Sequence, residues 1–255
     1  MSVYSINKNF RAVPPPRPGT DPTERALGVA EMFGLGLDES YEVVLYDGLR
    51  VDVRPGDVVF VTGPSGSGKS VLLGCLVEAM RAACPDARVV DLAGAVPPAG
   101  VAVIEGLPAG FEESLRLAST AGLADAFVLL RPPEELSDGQ RWRLRLAHAL
   151  ARLLDPPAEA AAGAMGAPMC VLVADELAST LDRLCARAVA YRLRRLADRE
   201  GVTILAASAH DDLGEDLAPD VLIRKEVGVS VEVWYSNAKR RRQNAEQERQ
   251  TAKGK

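Results

Sequence analysis

The sequence predicts an α/β fold in which helices cover both faces of a mostly parallel sheet. Two observations lead to this prediction. Apolar runs of strand length alternate along the chain with amphipathic patterns of helical length. A glycine-rich loop, Gly63 to Ser70, joins one such strand to one such helix. At 255 residues the chain is long enough to bury a sizeable core.

The chain before this loop predicts an extension followed by a small β layer. Residues 1–25 are rich in proline, and we expect them to be extended. Residues 27–37 predict a short helix that glycines interrupt. Residues 41–46 and 49–53 predict two strands of an antiparallel layer, followed by a turn at 54–57.

The remaining elements alternate in the order that a parallel sheet needs. Strands are predicted at 57–62, 87–92, 169–174, 202–206, 221–224 and 229–234. Helices are predicted at 71–80, 111–130, 140–154 and 210–217, with a further long helix between the strands at 169–174 and 202–206. Gly122 is expected to divide the second helix, and residues 155–168 predict a flexible connection.

The glycine-rich loop predicts a nucleotide-binding site. It matches the phosphate-loop pattern G-x-x-x-x-G-K-[ST], and the flanking strand and helix are the context that this pattern requires. Glycines let successive N–H groups turn towards phosphate oxygens, and the helix behind them adds the positive end of its dipole. We expect Lys69 to reach the β- and γ-phosphates and Ser70 to bind Mg²⁺. The predicted nucleotide-binding residues of the loop are Gly63, Pro64, Ser65, Gly66, Ser67, Gly68, Lys69, Ser70 and Val71.

Two adjacent carboxylates follow the buried strand at 169–174. Asp175 stands at the strand end, where it can hold Mg²⁺ directly or through water beside the phosphate loop. Glu176 can orient and deprotonate an attacking water. Together with Lys69, Glu176 is therefore predicted to be catalytic.

Composition excludes several classes of protein. The four cysteines show no C-x-x-C pairing, which argues against a metal site or a disulfide framework and favours the cytoplasm. No apolar run is long enough to span a membrane, so direct membrane insertion is not expected. The net charge is −5, but residues 239–255 are basic and begin with Lys239-Arg-Arg-Arg242. This tail predicts either a nucleic-acid partner or a solvated terminus.

The motif Leu136-Ser-Asp-Gly-Gln140 resembles the signature LSGGQ of the ATP-binding cassette (ABC) ATPases. It stands before a long helix and upstream of Asp175-Glu176, as it does in that family. The S-x-x-Q spacing also predicts a capping box, and the free N–H groups of a helix start suit a γ-phosphate. The resemblance implies an ATP-dependent homodimer in which Ser137, Asp138, Gly139 and Gln140 contact ATP bound to the other chain.

Further motifs of the family follow in order. Ser179-Thr-Leu-Asp182 resembles its D-loop, and His210 resembles its switch histidine, which contacts the γ-phosphate. The resemblance implies that His210 is catalytic and that ATP and Mg²⁺ are the cofactors. Tyr41 lies where the family places an aromatic residue that stacks on adenine, and Tyr46 is the alternative. The resemblance covers about residues 40 to 235. It implies a P-loop NTPase of the ABC type with an antiparallel β layer and a shortened helical subdomain.

Three positions depart from the family pattern. Val71 replaces the usual threonine after Ser70 and removes one hydroxyl contact to phosphate. Asp138 replaces the first glycine of the signature. No glutamine stands in the expected Q-loop region, where Glu105 is the nearest candidate and a further candidate ligand of Mg²⁺.

The predicted organisation has three parts: an extension at 1–25, an ATPase domain at 26–238 and a basic tail at 239–255. Within the domain, the helical subdomain covers about 105–154. Only 68 positions separate Lys69 from Ser137, fewer than in importer ATPases, and the missing length falls in this subdomain.

These features leave several functions open. The sequence is similar to a group of ABC-type ATPases found fused to, or beside, a predicted acetyltransferase domain. The leading hypothesis is therefore a soluble ATPase that dimerises on ATP and acts on a separate partner, such as an acetyltransferase or nucleic acid. The alternative is the ATP-binding subunit of a membrane transporter. A non-hydrolysing switch is disfavoured by Glu176 and His210, and a simple P-loop kinase by the signature motif.

Overall fold

The computed structural model describes residues 2–12, 23–34, 41–154 and 168–236. The predicted connection and the predicted basic tail therefore lie almost wholly outside the described residues. The chain divides into two units, Ser5–Arg50 on one side and Met1–Tyr4 with Val51–Lys255 on the other. The predicted domain boundaries, at 25/26 and 238/239, stay a prediction.

The smaller unit contains helix α1 (Glu24–Phe33) and most of strands β1 (Ser2–Ala12) and β2 (Tyr41–Val53), which form a two-stranded sheet. The two strands predicted at 41–46 and 49–53 are thus one strand, and the antiparallel pairing predicted between them is wrong. Gly48 explains the difference. It has φ +61 and its N–H donates to Asn7 Oδ1 at 2.6 Å, so β2 continues through the position at which we predicted a break.

A six-stranded sheet with the order β4-β5-β6-β3-β7-β8 forms the centre of the larger unit. Its strands are β3 (Val58–Thr62), β4 (Arg88–Asp91), β5 (Cys170–Ala174), β6 (Thr203–Ser208), β7 (Val221–Lys225) and β8 (Val231–Tyr235). All neighbours are parallel except β7 and β8. Every residue of β3 and β6 is buried, as continuous apolar runs in a covered parallel sheet should be. The predicted α/β fold class is confirmed.

The helices of this unit pack on the sheet and on one another. They are α2 (Lys69–Ala83), α3 (Phe111–Thr120), α4 (Ala126–Leu129), α5 (Asp138–Leu154), α6 (Arg183–Glu200) and α7 (Gly214–Leu217). Helices α2 and α6 contact β6, whereas α5 contacts β4 and β5 and also packs on α3. Gly122, at φ +88, lies between α3 and α4, so the predicted division of that helix is confirmed.

The segment 210–217 is helical only in its second half. We predicted a helix over the whole segment, but α7 begins at Gly214, whose N–H donates to the carbonyl oxygen of Asp211. The N–H of His210 instead donates to Ser208 Oγ at 3.1 Å. This side-chain acceptor replaces a helical carbonyl, so His210 lies on a loop.

The strand register brings three loops to one edge of the sheet. Ala206 of β6 lies level with Phe60 of β3 and with Ala174 of β5. Because the three strands are parallel, their carboxyl ends meet at the same edge. The phosphate loop, the Asp175-Glu176 pair and the loop that carries His210 follow these three ends.

Candidate functional site

Two glycines allow the phosphate loop its path. Gly63 has φ +145, and a Cβ at this position would lie 1.9 Å from the carbonyl oxygen of Lys225 in the neighbouring strand β7. Gly68 has φ +100 and is the residue from which α2 begins. A side chain at Gly63 would therefore collide with backbone, and the loop would have to move.

The polar groups of the loop fit a phosphate ligand. Lys69 Nζ donates to the carbonyl oxygens of Gly63 and Pro64, each at 2.8 Å, so the ammonium lies over the loop. Ser67 Oγ is buried and makes no hydrogen bond within the described residues. An ammonium above the loop and a hydroxyl without a protein partner are groups that an anionic ligand can satisfy. The loop is therefore chemically suited to the predicted nucleotide-binding site, which stays a prediction.

The carboxylates after β5 occupy a turn of unusual backbone. Glu176 has φ +52 and an exposed side chain, and its N–H donates to Asp175 Oδ1 at 3.0 Å. The N–H of Leu177 donates to the carbonyl oxygen of Ala207 at 2.7 Å, which fixes the turn to the end of β6. Positive φ at a residue other than glycine is strained and needs such support. The backbone of the turn is therefore held in place by β6, while the side chain of Glu176 is exposed to solvent.

Glu176 and His210 line one open cleft of about 370 Å³. Its walls come from the turn after β5, the start of α6 and the loop after β6. The exposed side chain of His210 lies on that last loop. The structure thus brings together the predicted general base and the predicted switch histidine, which are far apart in sequence.

The signature motif forms the predicted capping box at the start of α5. The N–H of Gln140 donates to Ser137 Oγ at 3.3 Å, and the N–H of Ser137 donates to Gln140 Oε1 at 3.0 Å. Asp138 forms an ion pair with Arg141. A Cβ on Gly139 would lie 3.3 Å from the carbonyl oxygen of Thr180. The signature and the predicted D-loop of the same chain are therefore in close contact.

Asp182 ends the predicted D-loop and caps α6. Its Oδ1 accepts a hydrogen bond from the N–H of Cys185 at 2.9 Å. Hydrogen bonds from the side chain and the backbone of Cys185 lower the pKa of Asp182. The carboxylate is thus held in its charged form at a helix start, where negative charge is favoured.

Four residues considered for the site are not joined to this group by a described contact. Glu105 is exposed on a turn whose N–H groups donate to the carbonyl oxygens of Ala102, Leu129 and Arg131. Tyr41 begins β2, but its side chain lies outside the described residues. Tyr46 is only 1% exposed, which argues against it as the adenine-stacking residue. Val71 lies in the first turn of α2.

Sequence reasoning missed two polar residues of the cleft. Ser208, whose Oγ accepts from His210, ends the strand that we predicted to stop at residue 206. Arg183 lines the cleft as the first residue of α6. Its position directly after Asp182 was the available signal, but its ion-pair partner Asp212 could be found only from the fold.

Potential metal ligands are few in this arrangement. Within residues 2–12, 23–34, 41–154 and 168–236, no group of three or more His, Cys, Asp or Glu side chains could hold a metal ion. Ser70 and Asp175 supply two oxygens, so a cation between them would need further oxygens from phosphate and water. This composition fits Mg²⁺ that arrives with a nucleotide.

A parallel sheet, a strand–loop–helix phosphate cradle and carboxylates at the same sheet edge define a P-loop nucleotide-binding protein. No family model matches the chain. Solved structures of similar fold include a dimeric post-hydrolysis state of the ATP-binding cassette MJ0796 bound to ADP and Pi. That structure has a TM-score of 0.57 and 17% identity, and the match covers 91% of this chain and 98% of that one. At this identity the likeness establishes the fold.

Curated relatives carry the comparison further. The chain is 32% identical over 177 residues to the Fe(3+) ions import ATP-binding protein FbpC 3 of Rhodococcus jostii, which covers 56% of this chain and 50% of the relative. It is 30% identical over 195 residues to the hemin import ATP-binding protein HmuV of the same organism, covering 61% and 63%. It is 26% identical over 220 residues to the phosphonates import ATP-binding protein PhnC of Hyphomonas neptunium, covering 72% and 78%.

In sequence the chain is therefore similar to ATP-binding proteins of ABC systems, and it has the fold of an ATP-binding cassette. It spans between half and about two thirds of the length of the first two of these relatives. The names of these relatives describe ATP-binding proteins of import systems. No helix in the described part of the chain is long and apolar enough to cross a membrane.

Proposed function

We propose that this chain is the ATP-hydrolysing subunit of an import system and works as a homodimer beside separate membrane subunits. The observation that carries the proposal is the meeting of the phosphate loop, the Asp175-Glu176 turn and the His210 loop at one edge of the sheet. The names of the curated relatives support the import role. The sequence alone favoured a soluble ATPase that acts on a separate partner, and these relatives favour the alternative.

In this proposal the phosphate loop binds ATP, and the ammonium of Lys69 compensates the negative charge of the phosphates. Lys69 Nζ now bonds to two loop carbonyl oxygens, and phosphate oxygens would offer charged acceptors in their place. The unpartnered hydroxyl of Ser67 gains an acceptor at the same time. Ser70 and Asp175 would hold Mg²⁺, which neutralises charge on the phosphates when bound.

Hydrolysis needs a base and a group near the γ-phosphate. Glu176 is exposed at the cleft, where its carboxylate can take a proton from an attacking water. His210 lies on the opposite loop of the same cleft and can donate a hydrogen bond to the γ-phosphate. Glu176→Gln keeps the size of the side chain but removes its basicity. We expect ATP binding to persist and turnover to fall at least about a hundredfold.

Steady-state phosphate release, with ATP binding measured in parallel, tests this assignment. Turnover of Glu176→Gln at the wild-type rate would remove Glu176 as the base. Ser179→Ala is a suitable comparison because Ser179 lines the same cleft and carries no carboxylate.

The dimer is proposed from the exposure of the signature motif. Ser137 and Asp138 are exposed at the start of α5, although the predicted role of this motif is to contact nucleotide. Free N–H groups of a helix start bind anions. We therefore assign Ser137, Gly139 and Gln140 to the ATP of a second copy, with Asp182 at the contact between copies.

An exposed apolar patch supports docking to a membrane subunit. The N–H groups of Val103 and Ile104 donate to the carbonyl oxygens of Arg131 and Leu129, at 2.9 and 3.1 Å, which brings two loops of the helical region together. Beside these bonds, Val101, Phe127 and Leu130 are 39%, 74% and 71% exposed. A cluster of large exposed apolar side chains marks a protein contact more often than free surface.

Cell fractionation in the native host tests the import role. The wild-type chain should sediment with membranes, and Phe127→Glu with Leu130→Glu should release it into the soluble fraction while ATP turnover persists. Val227→Glu is the matched control, because Val227 is 73% exposed on the β7–β8 hairpin. A wild-type chain found entirely in the soluble fraction would contradict the import role.

That last result would favour the second candidate, a soluble ATPase with a separate partner. The short distance between Lys69 and Ser137 favours it, because the helical region contains only α3, α4 and a short 3₁₀ turn before α5. Nucleic acid remains a possible partner only through the tail at 239–255, which lies outside the described residues.

A further inference from the structure

Three acidic residues of the segment after His210 pair with arginines of other elements. The pairs are Arg183–Asp212, Arg187–Asp216 with Nε and Oδ2 at 2.6 Å, and Arg224–Asp211 at 3.7 Å. Arg183 and Arg187 come from the first two turns of α6, whereas Arg224 comes from β7. Ion pairs therefore connect the segment 210–217 to both α6 and β7.

The carboxylates of the two α6 pairs are largely covered. Asp212 and Asp216 side chains are 19% and 20% exposed, while Arg183 and Arg187 are 68% and 51% exposed. A covered carboxylate has lost much of its water and depends on its partner more than a fully exposed one does. Removal of either arginine would leave a partly buried charge unpaired.

The apolar side of the segment is anchored independently. Leu213 and Leu217 are buried in the core of the larger unit. Between these anchors and β6, the loop that carries His210 has a backbone bond to Ser208 Oγ and the bond from Gly214 to Asp211. The ion pairs of Asp212 and Asp216 therefore set the orientation of the polar side of this loop relative to α6.

The same pairs connect the loop of His210 with the turn of Glu176. Arg183 directly follows Asp182, which caps α6 and ends the segment that begins at Glu176. Arg183 and Asp212 both line the cleft that holds Glu176 and His210. An ion pair at this position joins the two sides of the cleft.

We propose that Arg183 and Arg187 are positioning residues that hold His210 opposite Glu176 through their ion pairs with Asp212 and Asp216. The inference rests on the proposed ATP hydrolysis at this cleft. This positioning role requires no contact between either arginine and the nucleotide. They act through the backbone of the segment 210–217.

Kinetics of the double variant Arg183→Gln with Arg187→Gln test the proposal. We expect kcat to fall about tenfold, which corresponds to about 1.4 kcal/mol of misalignment, with little change in KM for MgATP. Exchange of the charges, by Arg183→Asp with Asp212→Arg, should recover most of the loss caused by Arg183→Asp alone. Raising NaCl from about 50 mM to about 500 mM should slow the wild type more than the double variant, because the exposed arginines are screened.

A readout independent of turnover is available because the chain has only two histidines, His148 and His210. In spectra of isotope-labelled histidine, the double variant should shift the His210 imidazole signals and leave those of His148 in place. Arg116→Gln is the matched control. It removes an exposed arginine–carboxylate pair, with Glu113 at 2.6 Å, far along the chain from this cleft, and should change neither kcat nor the His210 signals.

Unchanged kcat together with unchanged His210 signals would overturn the proposal, and so would a fall in kcat without movement of those signals. An equal loss in Arg116→Gln would show a general electrostatic effect and would overturn it too. A wild type that binds but never hydrolyses ATP would defeat the proposed function instead. The histidine spectra alone would then decide whether the arginines position His210.

Discussion

Replacement of Gly63 by alanine tests how the phosphate loop is built. The new Cβ would lie 1.9 Å from the carbonyl oxygen of Lys225, whereas real contacts of this kind stay beyond 3.0 Å. Positive φ costs an alanine about 1–2 kcal/mol, and forcing the overlap apart costs about 1–3 kcal/mol more. We therefore expect a loss of about 2–5 kcal/mol, or a fall in melting temperature of roughly 4–20 °C.

In Gly63→Ala the phosphate loop can avoid part of this loss of stability by changing its position. It can move away from β7 by about 1 Å, which relieves the overlap but misplaces the N–H groups that face the phosphates, at a cost of about a hundredfold in function. Thermal unfolding and ATP binding by calorimetry should therefore be measured together, because the damage must appear in at least one of them.

Two glycines provide controls in the same part of the chain. Gly66 has φ +76 but nothing within 4 Å of its Cβ position, so Gly66→Ala should show the cost of φ alone. Gly74 is exposed in α2, also with open space, and Gly74→Ala should stabilise the protein by about 0.5–1 kcal/mol. Wild-type melting and wild-type ATP binding in Gly63→Ala would refute the reasoning.

Two further predictions concern the dimer and pH. Lys69→Ala should abolish ATP binding. A mixture of the Lys69→Ala and Ser137→Arg chains should restore about one working site per heterodimer, because both defects then fall in the same composite site. If the mixture turns over ATP no faster than either variant alone, the two chains do not share a site. Burial lowers the pKa of His148 from 6.5, and Arg152 lowers it further. The folded state thus favours neutral His148. The contribution of neutral His148 to the free energy of unfolding is fully present above about pH 6.5 and is lost as the pH falls through the lowered pKa. Urea unfolding should show a smaller loss between neutral and acidic pH in His148→Gln than in the wild type.

The fold class and the local features of the candidate site could be predicted from the amino-acid sequence. Gly63, Gly68 and Lys69 stand in a fixed pattern because phosphate binding imposes the same backbone on any chain, and this pattern is local. The capping box of Ser137 and Gln140 is local as well, since it joins residues three positions apart. Continuous apolar runs such as β3 and β6 can be recognised without the fold because both faces of a covered parallel sheet are dry.

The contacts between distant segments could be found only from the folded structure. β1 pairs with β2 because Gly48 continues a strand instead of turning it, and no local signal distinguishes these outcomes. The register of β3, β5 and β6 brings Glu176 and His210 to one cleft. The ion pair of Arg183 with Asp212 exists because α6 packs beside the segment 210–217. Such contacts depend on how the chain is folded in space. The identities of two residues far apart in sequence do not indicate the distance between them in the folded protein.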